Sequence, residues 1–259
     1  MTDGSGPAGG RAGPDPESDP EGGRTADLID VWLIPTDQPE SVTDALRGVL
    51  DPDERARAAS PDPGFGRRFT VVHGAVRQLL GARLGCRPAD LVRHQGPHGK
   101  PELSAGPGTP SGSVSLNYSA SGALAVLALA RGRAIGVDVE EVRDTRTATR
   151  LAGRYFPAGE AAAVAADARP AERFTELWCR REACVKAYGG RLVQGFGLPM
   201  AGPAPLLLAD PGALGPGPCR IDDVPVPGPF RAAVAAVGAR PIRVAVRAWS
   251  ADMPARALN

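Results

Sequence analysis

The fold is organised around residues 174–190, FTELWCRREACVKAYGG. At about 100° per residue the large apolar side chains of this stretch fall on one sector, which indicates a helix packed against a core. Glu182 lies just outside that sector, and Lys186 follows it by one helical turn. The two form either a surface ion pair or part of a site, and the helix alone leaves both interpretations open.

The rarity of lysine favours a site. Of the 30 lysine and arginine residues, only Lys100 and Lys186 are lysine, so arginine carries nearly every other positive charge. A compact ammonium suits a single phosphate oxygen beside a metal ion better than a planar guanidinium does. We therefore expect both lysines to have specific roles.

Composition narrows the class of protein. The chain has 259 residues, 42% of them hydrophobic, and a formal net charge of +1, which fits a soluble enzyme with one large or two small domains. There is no dense basic run, so we expect neither nucleic acid nor a membrane as a partner. The four cysteines show no metal-type spacing and are expected to be reduced. The sequence has no signal peptide and no apolar run long enough to span a bilayer, and we expect a cytoplasmic monomer.

The local patterns predict a disordered Gly/Pro-rich tail over residues 1–24, followed by alternating helices and strands. His73 lies inside one of these helices and is interpreted as a packing residue. Two late strands, residues 230–237 and 242–249, are expected to complete an antiparallel sheet. The other predicted elements are a strand over 28–34, a helix over 41–50 with Ser41 as N-cap, helices over 51–59 and 67–84, the latter opened by Arg68, a strand from 114 that runs into a Ser-rich turn at 119–122, strands over 123–130 and 134–140, and helices over 144–156, 157–167 and from 170 onward.

The strand over residues 134–140 carries a second candidate feature. Its period of two sends Ile135 and Val137 to one face and Asp138 and Glu140 to the other, with the two carboxylate Cα atoms roughly 6 to 7 Å apart. Both carboxylates could reach one hard cation, or the pair could simply be a polar strand end. The cation is favoured, because the two acids share one face of a strand that carries three buried aliphatic residues, Ile135, Val137 and Val139, on its other face.

These motifs together resemble a known family. Residues 136–140, GVDVE, and Glu182 in LWCRREACVK resemble the paired signature of the Sfp-type 4′-phosphopantetheinyl transferases. Residues 51–55, 99–103 and 116–122 occur in that family's order, so the resemblance covers roughly residues 30–237. It implies an α+β fold of two similar halves related by a pseudo-twofold axis, residues 25–131 and 132–250, with the active site in the cleft between them and a loose tail over residues 251–259.

The resemblance also implies a reaction. The family transfers the phosphopantetheine arm of coenzyme A to a serine of an acyl, peptidyl or aryl carrier protein and releases adenosine 3′,5′-bisphosphate. By resemblance Asp138, Glu140 and Glu182 bind Mg²⁺, and either Glu182 or a metal-bound water takes the serine proton. Lys186 would contact the pyrophosphate, and both Glu182 and Lys186 would be catalytic. The remaining coenzyme A contacts would be Ser119 to a phosphate, Arg68 to the 3′-phosphate, and Lys100 with Pro101 to the adenosine.

Two positions depart from the family pattern. Ala120 stands where the family usually has histidine, which removes a hydrogen-bond donor to a coenzyme A phosphate. Arg181 stands where lysine is common and predicts a partly buried ion pair or a side chain that extends toward solvent. Because of Ala120, a degenerate member that binds coenzyme A or a carrier protein without transfer is the alternative. A magnesium-dependent phosphohydrolase is a third hypothesis, since it needs the same residue types.

Overall fold

The computed structural model describes residue 1 and residues 26–95, 101–104 and 114–253. The predicted disordered tail over residues 1–24, apart from Met1, lies outside these residues, as do Lys100 and the tail beyond residue 253.

The first part of the chain builds most of a four-stranded sheet, the helices that cover it, and a separate two-stranded antiparallel sheet formed by its second and third strands. The long helix α3 packs one face of the four-stranded sheet, in a core that includes Trp32, Val72 and Leu127. The elements, in order, are β1 (Asp27–Pro35), α1 (Glu40–Arg47), α2 (Pro52–Ala58), α3 (Pro63–Leu84), β2 (Val92–Gln95), β3 (Pro101–Ser104), β4 (Val114–Ser121) and β5 (Leu124–Arg131).

The second part repeats the scheme with another sheet. Helix α6 packs on it through Phe174, Leu177 and Cys184, as the apolar sector of residues 174–190 predicts. The elements are β6 (Ile135–Glu141), α4 (Thr145–Tyr155), α5 (Ala158–Ala166), α6 (Pro170–Tyr188), β7 (Leu206–Leu208), β8 (Cys219–Val224), β9 (Phe230–Val237) and β10 (Ile242–Ala248).

The two four-stranded sheets lie face to face between the two long helices. Their strand orders are β10-β1-β5-β4 and β6-β9-β8-β7. A third apolar cluster joins Ile29 and Val126 of the first sheet to Ile135, Val137 and Val139 of the second. The predicted alternation of β6 is therefore confirmed, and so is the α+β class. The division into halves at residues 131 and 132 stays a prediction.

The last strand corrects one expectation. Strand β10 does not extend the antiparallel sheet of β9, but pairs in parallel with β1, with Ile29 opposite Val244. The reason is that β9 already has β6 and β8 on its two sides, whereas the edge of β1 is open. Ile242, Val244 and Val246 pack against the cluster between the sheets, which stabilises this placement.

The starts of two helices also differ from the sequence prediction. Ser41 is not an N-cap, because α1 already begins at Glu40 after Pro39. Helix α3 begins at Pro63, since Asp62 accepts hydrogen bonds from the N–H groups of Gly64 and Phe65 and proline fits the first helical position. Arg68 therefore lies inside the helix.

The predicted Ser-rich turn is also absent, because β4 continues to Ser121 and the chain turns at Gly122. Gly122 has a φ of +54°, which favours glycine. Strand β8 had no sequence prediction. None of the four cysteines, all within the described ranges, forms a disulfide. Of the helices described, none is long and apolar enough to cross a membrane.

Candidate active site

The candidate site lies where the edge strands of the two sheets, β4 and β6, meet; we call this line of contact the seam. Alternate residues of β4 reach across it. Asn117 Oδ1 accepts a hydrogen bond from the Val137 N–H at 2.8 Å, and Ser119 Oγ donates to Asp138 Oδ1 at 2.8 Å. Ser121 Oγ donates to Glu140 Oε2 at 2.9 Å. Because residues two apart share one face of a strand, β4 fixes both carboxylates from one side.

Helix α6 approaches β6 closely at Gly136. A Cβ atom at this position would lie 2.1 Å from the Ala183 carbonyl oxygen and 2.4 Å from the Ala187 nitrogen. Only glycine leaves room for the helix backbone here. The close packing sets the turn of α6 that carries Glu182 and Lys186 beside the carboxylates of β6.

Asp138 is the buried centre of the site, with 2% of its surface exposed. Its Oδ1 accepts hydrogen bonds from Lys186 Nζ at 2.6 Å and from Ser119 Oγ at 2.8 Å. Lys186 Nζ also lies 3.0 Å from Ser119 Oγ. Burial raises the pKa of Asp138, although the charge of Lys186 and these hydrogen bonds oppose the rise. The other carboxylate oxygen, Asp138 Oδ2, has no hydrogen-bond partner among the described residues. The nearby thiol of Cys179 donates instead to the Arg231 carbonyl, at 3.1 Å.

Burial and the negative charge of Asp138 affect the pKa of two nearby glutamates, Glu140 and Glu182. Burial, followed by the charges of Asp138 and Glu140, raises the pKa of Glu182 to about 7, with Lys186 acting in the opposite direction. Burial and then Asp138 also raise the pKa of Glu140, while the hydrogen bond from Ser121 lowers it. These shifts indicate that the three negative charges repel one another, an arrangement that a cation would stabilise.

One observation argues against a metal ion at this site, and another favours it. Across the described ranges, no group of three or more His, Cys, Asp or Glu side chains is placed as a metal cluster. However, the buried Asp138 Oδ2 lacks a partner, and Asp138, Glu140 and Glu182 supply the oxygen ligands that Mg²⁺ prefers. The donor chemistry therefore fits magnesium, with the substrate's own oxygens needed to complete the ligand set.

A cavity of about 350 Å³ adjoins the seam between α3 and β4. Ser119 and Ser121, which hydrogen-bond Asp138 and Glu140, form part of its wall. Arg68 lines the same cavity, as does Ala120. The predicted coenzyme A contacts Arg68 and Ser119 thus share one cavity beside the carboxylates.

Comparisons with known proteins point to one family. A sequence model of the 4′-phosphopantetheinyl transferase superfamily matches residues 134–204, which include β6 and α6. The chain is 35% identical over 167 residues to the 4′-phosphopantetheinyl transferase HetI of Nostoc sp., covering 63% of this chain and 70% of HetI. The chain belongs to the 4′-phosphopantetheinyl transferase superfamily.

Other relatives of this transferase have the same kind of name. The protein slr0495 of Synechocystis sp., provisionally named a 4′-phosphopantetheinyl transferase, is 31% identical over 162 residues, covering 61% of this chain and 64% of its own length. The 4′-phosphopantetheinyl transferase AcpT of Salmonella typhi is 36% identical over 119 residues, covering 45% of this chain and 57% of AcpT.

Arg181 of the transferase has a defined partner, which the sequence did not identify. The side chain is fully buried and forms an ion pair with Glu160 of α5, while its guanidinium lies 3.9 Å from the centroid of the Phe156 ring. Glu160 also accepts a hydrogen bond from the Ala201 N–H at 2.9 Å. Burial lowers the pKa of Arg181, and the charge of Glu160 opposes that shift. Arg181 therefore joins α6 to α5 and, through Glu160, to the segment around Ala201. Of the two predicted roles of Arg181, the buried ion pair is the one found.

The predicted site residues of the transferase are placed as follows. The structure gathers Ser119, Asp138 and Lys186 in direct contact, with Glu140 and Glu182 coupled to Asp138 by charge. Lys100 lies outside the described residues, and of Pro101 only the backbone, in β3, is described.

Sequence reasoning missed Asn117 and Ser121 as site residues. The signal was available, because both lie two residues from Ser119, and a strand that continued through Ser119 would have placed all three on one face. Because the sequence analysis expected a turn at residues 119–122, it did not predict that these three residues share a face.

Proposed function

We propose that this transferase moves the 4′-phosphopantetheine arm of coenzyme A to a serine hydroxyl of an acyl or peptidyl carrier protein, with Mg²⁺, and releases adenosine 3′,5′-bisphosphate. The observation that carries the proposal is the contact of Lys186 and Ser119 with Asp138, beside the cavity that Ser119 and Arg68 line. A pyrophosphate needs positive charge and hydrogen-bond donors at one place, and this arrangement offers both. Action in the cytoplasm as a monomer stays a prediction from the sequence.

In the proposed reaction the serine oxygen forms a bond to the phosphorus that carries the pantetheine arm. The bond from that phosphorus to the bridging oxygen breaks, and its electron pair leaves with adenosine 3′,5′-bisphosphate. Glu182, one helical turn before Lys186 on α6, takes the serine proton.

The other residues bind and orient the substrate. Lys186, held at Asp138 by a 2.6 Å contact, is placed to donate to a pyrophosphate oxygen. Ser119 and Arg68 bind phosphate groups in the cavity. Asp138, Glu140 and Glu182 would hold Mg²⁺, which when bound neutralises negative charge on the pyrophosphate oxygens.

The test incubates an apo carrier protein with coenzyme A, MgCl₂ and the transferase, and measures the intact mass of the carrier. We expect a gain of one phosphopantetheine group, no gain when EDTA replaces MgCl₂, and no gain on a carrier whose acceptor serine is replaced by alanine. If coenzyme A binds but no acyl or peptidyl carrier gains mass, the chain is a binding protein. Release of phosphate or phosphopantetheine without a carrier would identify a phosphohydrolase.

A further inference from the structure

His73 lines the cavity and is held in one orientation. Its Nδ1 lies 3.0 Å from Glu54 Oε1, its ring stacks on Phe69 with 3.8 Å between centroids, and the Tyr118 ring meets its edge at 5.5 Å. In the described part of the chain, Nδ1 is the one ring nitrogen of His73 that has a hydrogen-bond partner. A residue that only packed α2 against α3 would not need to form part of a cavity wall.

The Glu54 carboxylate is buried and hydrogen-bonded to other groups of the protein, so it does not contact a ligand in the cavity. Its Oε2 accepts hydrogen bonds from Arg77 Nε at 2.5 Å and from the Asp51 N–H at 3.2 Å, and only 1% of its surface is exposed. A carboxylate on Nδ1 selects the ring form with a proton on that nitrogen and fixes the orientation of the ring. Glu54 therefore positions the His73 ring through its contact with Nδ1.

The cavity itself suits an anion. None of the described residues that line it is acidic, while Arg68 contributes a guanidinium and Thr36, Ser119 and Ser121 contribute hydroxyl groups. Ala120 on the β4 side offers only a methyl group. The imidazole of His73 is thus the second side chain of this wall that can carry positive charge.

We infer that His73, together with Arg68, binds a phosphate group of the substrate through Nε2, with Glu54 holding the opposite nitrogen. The inference rests on the proposed function, because it takes coenzyme A as the ligand. The Nε2–H of the imidazolium donates to a phosphate oxygen, and Nδ1–H donates to Glu54. His73 is a substrate-binding residue in this arrangement.

The experiment measures the binding of coenzyme A by calorimetry to the full chain and to His73→Phe. Phenylalanine keeps a ring on Phe69 but has no nitrogen, so we expect affinity to fall about tenfold or more, as for the loss of a charge-assisted hydrogen bond. Arg87→Gln is the control, since Arg87 is an exposed cation that does not line the cavity, and its affinity should equal that of the unchanged protein. Dephospho-coenzyme A separates the two possible contacts: an effect that disappears identifies the 3′-phosphate, and one that persists identifies the pyrophosphate.

Folding is checked by thermal unfolding of each variant. His73→Gln is the second variant, because its amide can serve Glu54 or the ligand but not both, and it should also lose affinity. If both variants fold and bind coenzyme A as tightly as the unchanged protein, the inference is wrong.

If neither folds, the ¹⁵N shifts of the His73 ring in the unchanged protein decide: a change on saturation with coenzyme A supports the contact, and no change overturns it. Failure of the unchanged protein to bind coenzyme A would overturn the proposed function as well, whereas carrier modification with normal binding by His73→Phe would overturn the inference alone.

Discussion

Lys186 Nζ lies 2.6 Å from Asp138 Oδ1, so a cation of α6 is paired with a carboxylate of β6 next to the close approach of helix and strand at Gly136. The pair places positive charge beside Ser119, which also forms the wall of the cavity. The proposed contact of Lys186 with substrate phosphate and the proposed proton acceptor, Glu182, therefore depend on the same turn of α6.

Replacing Glu182 with glutamine should remove transfer while the fold is kept. Glutamine has nearly the same shape but cannot accept the serine proton, and we expect turnover to fall about 100-fold or more in the carrier-mass assay. Thermal stability should not fall, because the change removes one of three mutually repelling carboxylates. Glu172→Gln is the control, since Glu172 lies on the same helix but pairs with Arg169 and Arg231. Normal turnover in Glu182→Gln would eliminate Glu182 as the base.

Replacing Gly136 with alanine should displace α6. The added Cβ would lie 2.1 Å from the Ala183 carbonyl oxygen, which the backbone cannot tolerate without moving. We expect unfolding free energy to fall by about 1–3 kcal/mol or more in urea titrations, together with a loss of transfer. The matched control is Gly153→Ala in α4, where a Cβ meets no atom within 4 Å and alanine should leave stability unchanged or raise it by up to about 1 kcal/mol. Equal stability of the two variants would contradict the close approach.

Replacing Ala120 with histidine should tighten coenzyme A binding. Ala120 lines the cavity with Arg68 and Ser119, and an imidazole there adds a hydrogen-bond donor for a phosphate. We expect about a tenfold gain in affinity by calorimetry. Ala163→His on the exposed surface of α5 is the comparison, and it should bind coenzyme A unchanged. A loss of affinity in Ala120→His would show that the cavity is too narrow for the ring.

Acid should weaken the contact between α2 and α3 through Glu54. Burial alone would raise the pKa of Glu54, but hydrogen bonds from His73 and Arg77 and the charge of Arg77 lower it from 4.5 to about 2. A group with a lowered pKa in the folded state stabilises the protein above its unfolded pKa, and this stabilisation is lost as the pH falls from about 4.5 toward about 2. The loss amounts to at most about 3 kcal/mol.

Urea unfolding at pH 5.5 and at about pH 3, with Glu54→Gln as the reference, measures this contribution. The difference in stability between the unchanged protein and the variant should shrink on the acid side. A difference independent of pH would show that Glu54 does not titrate with a lowered pKa.

Much of the fold could be predicted because local patterns and tertiary packing agree. The alternation of Val137 and Asp138 in β6 and the apolar sector of α6 each correspond to one buried face, so the pattern identified both elements. The start of α3 was missed because the Pro/Gly content of residues 61–66 suggested a break, whereas Asp62 and Pro63 are good N-terminal residues of a helix.

Non-local relationships were harder to predict. Nothing within residues 242–249 specifies whether their strand joins β9 or β1, because that depends on which edge the rest of the sheet leaves open. Likewise Arg77 and His73 contact Glu54 from positions 23 and 19 residues away, so local patterns could not predict a partner for His73.

Strand β10 also has a consequence for how the protein is made. Its partner, β1, leaves the ribosome more than 200 residues earlier, since Asp27 pairs with Ile242. Until β10 emerges, the nascent first sheet has an unpaired backbone edge beside apolar side chains, which is a surface prone to association with other chains. The edge of β1 therefore stays open to other chains until the last strand has been made and paired.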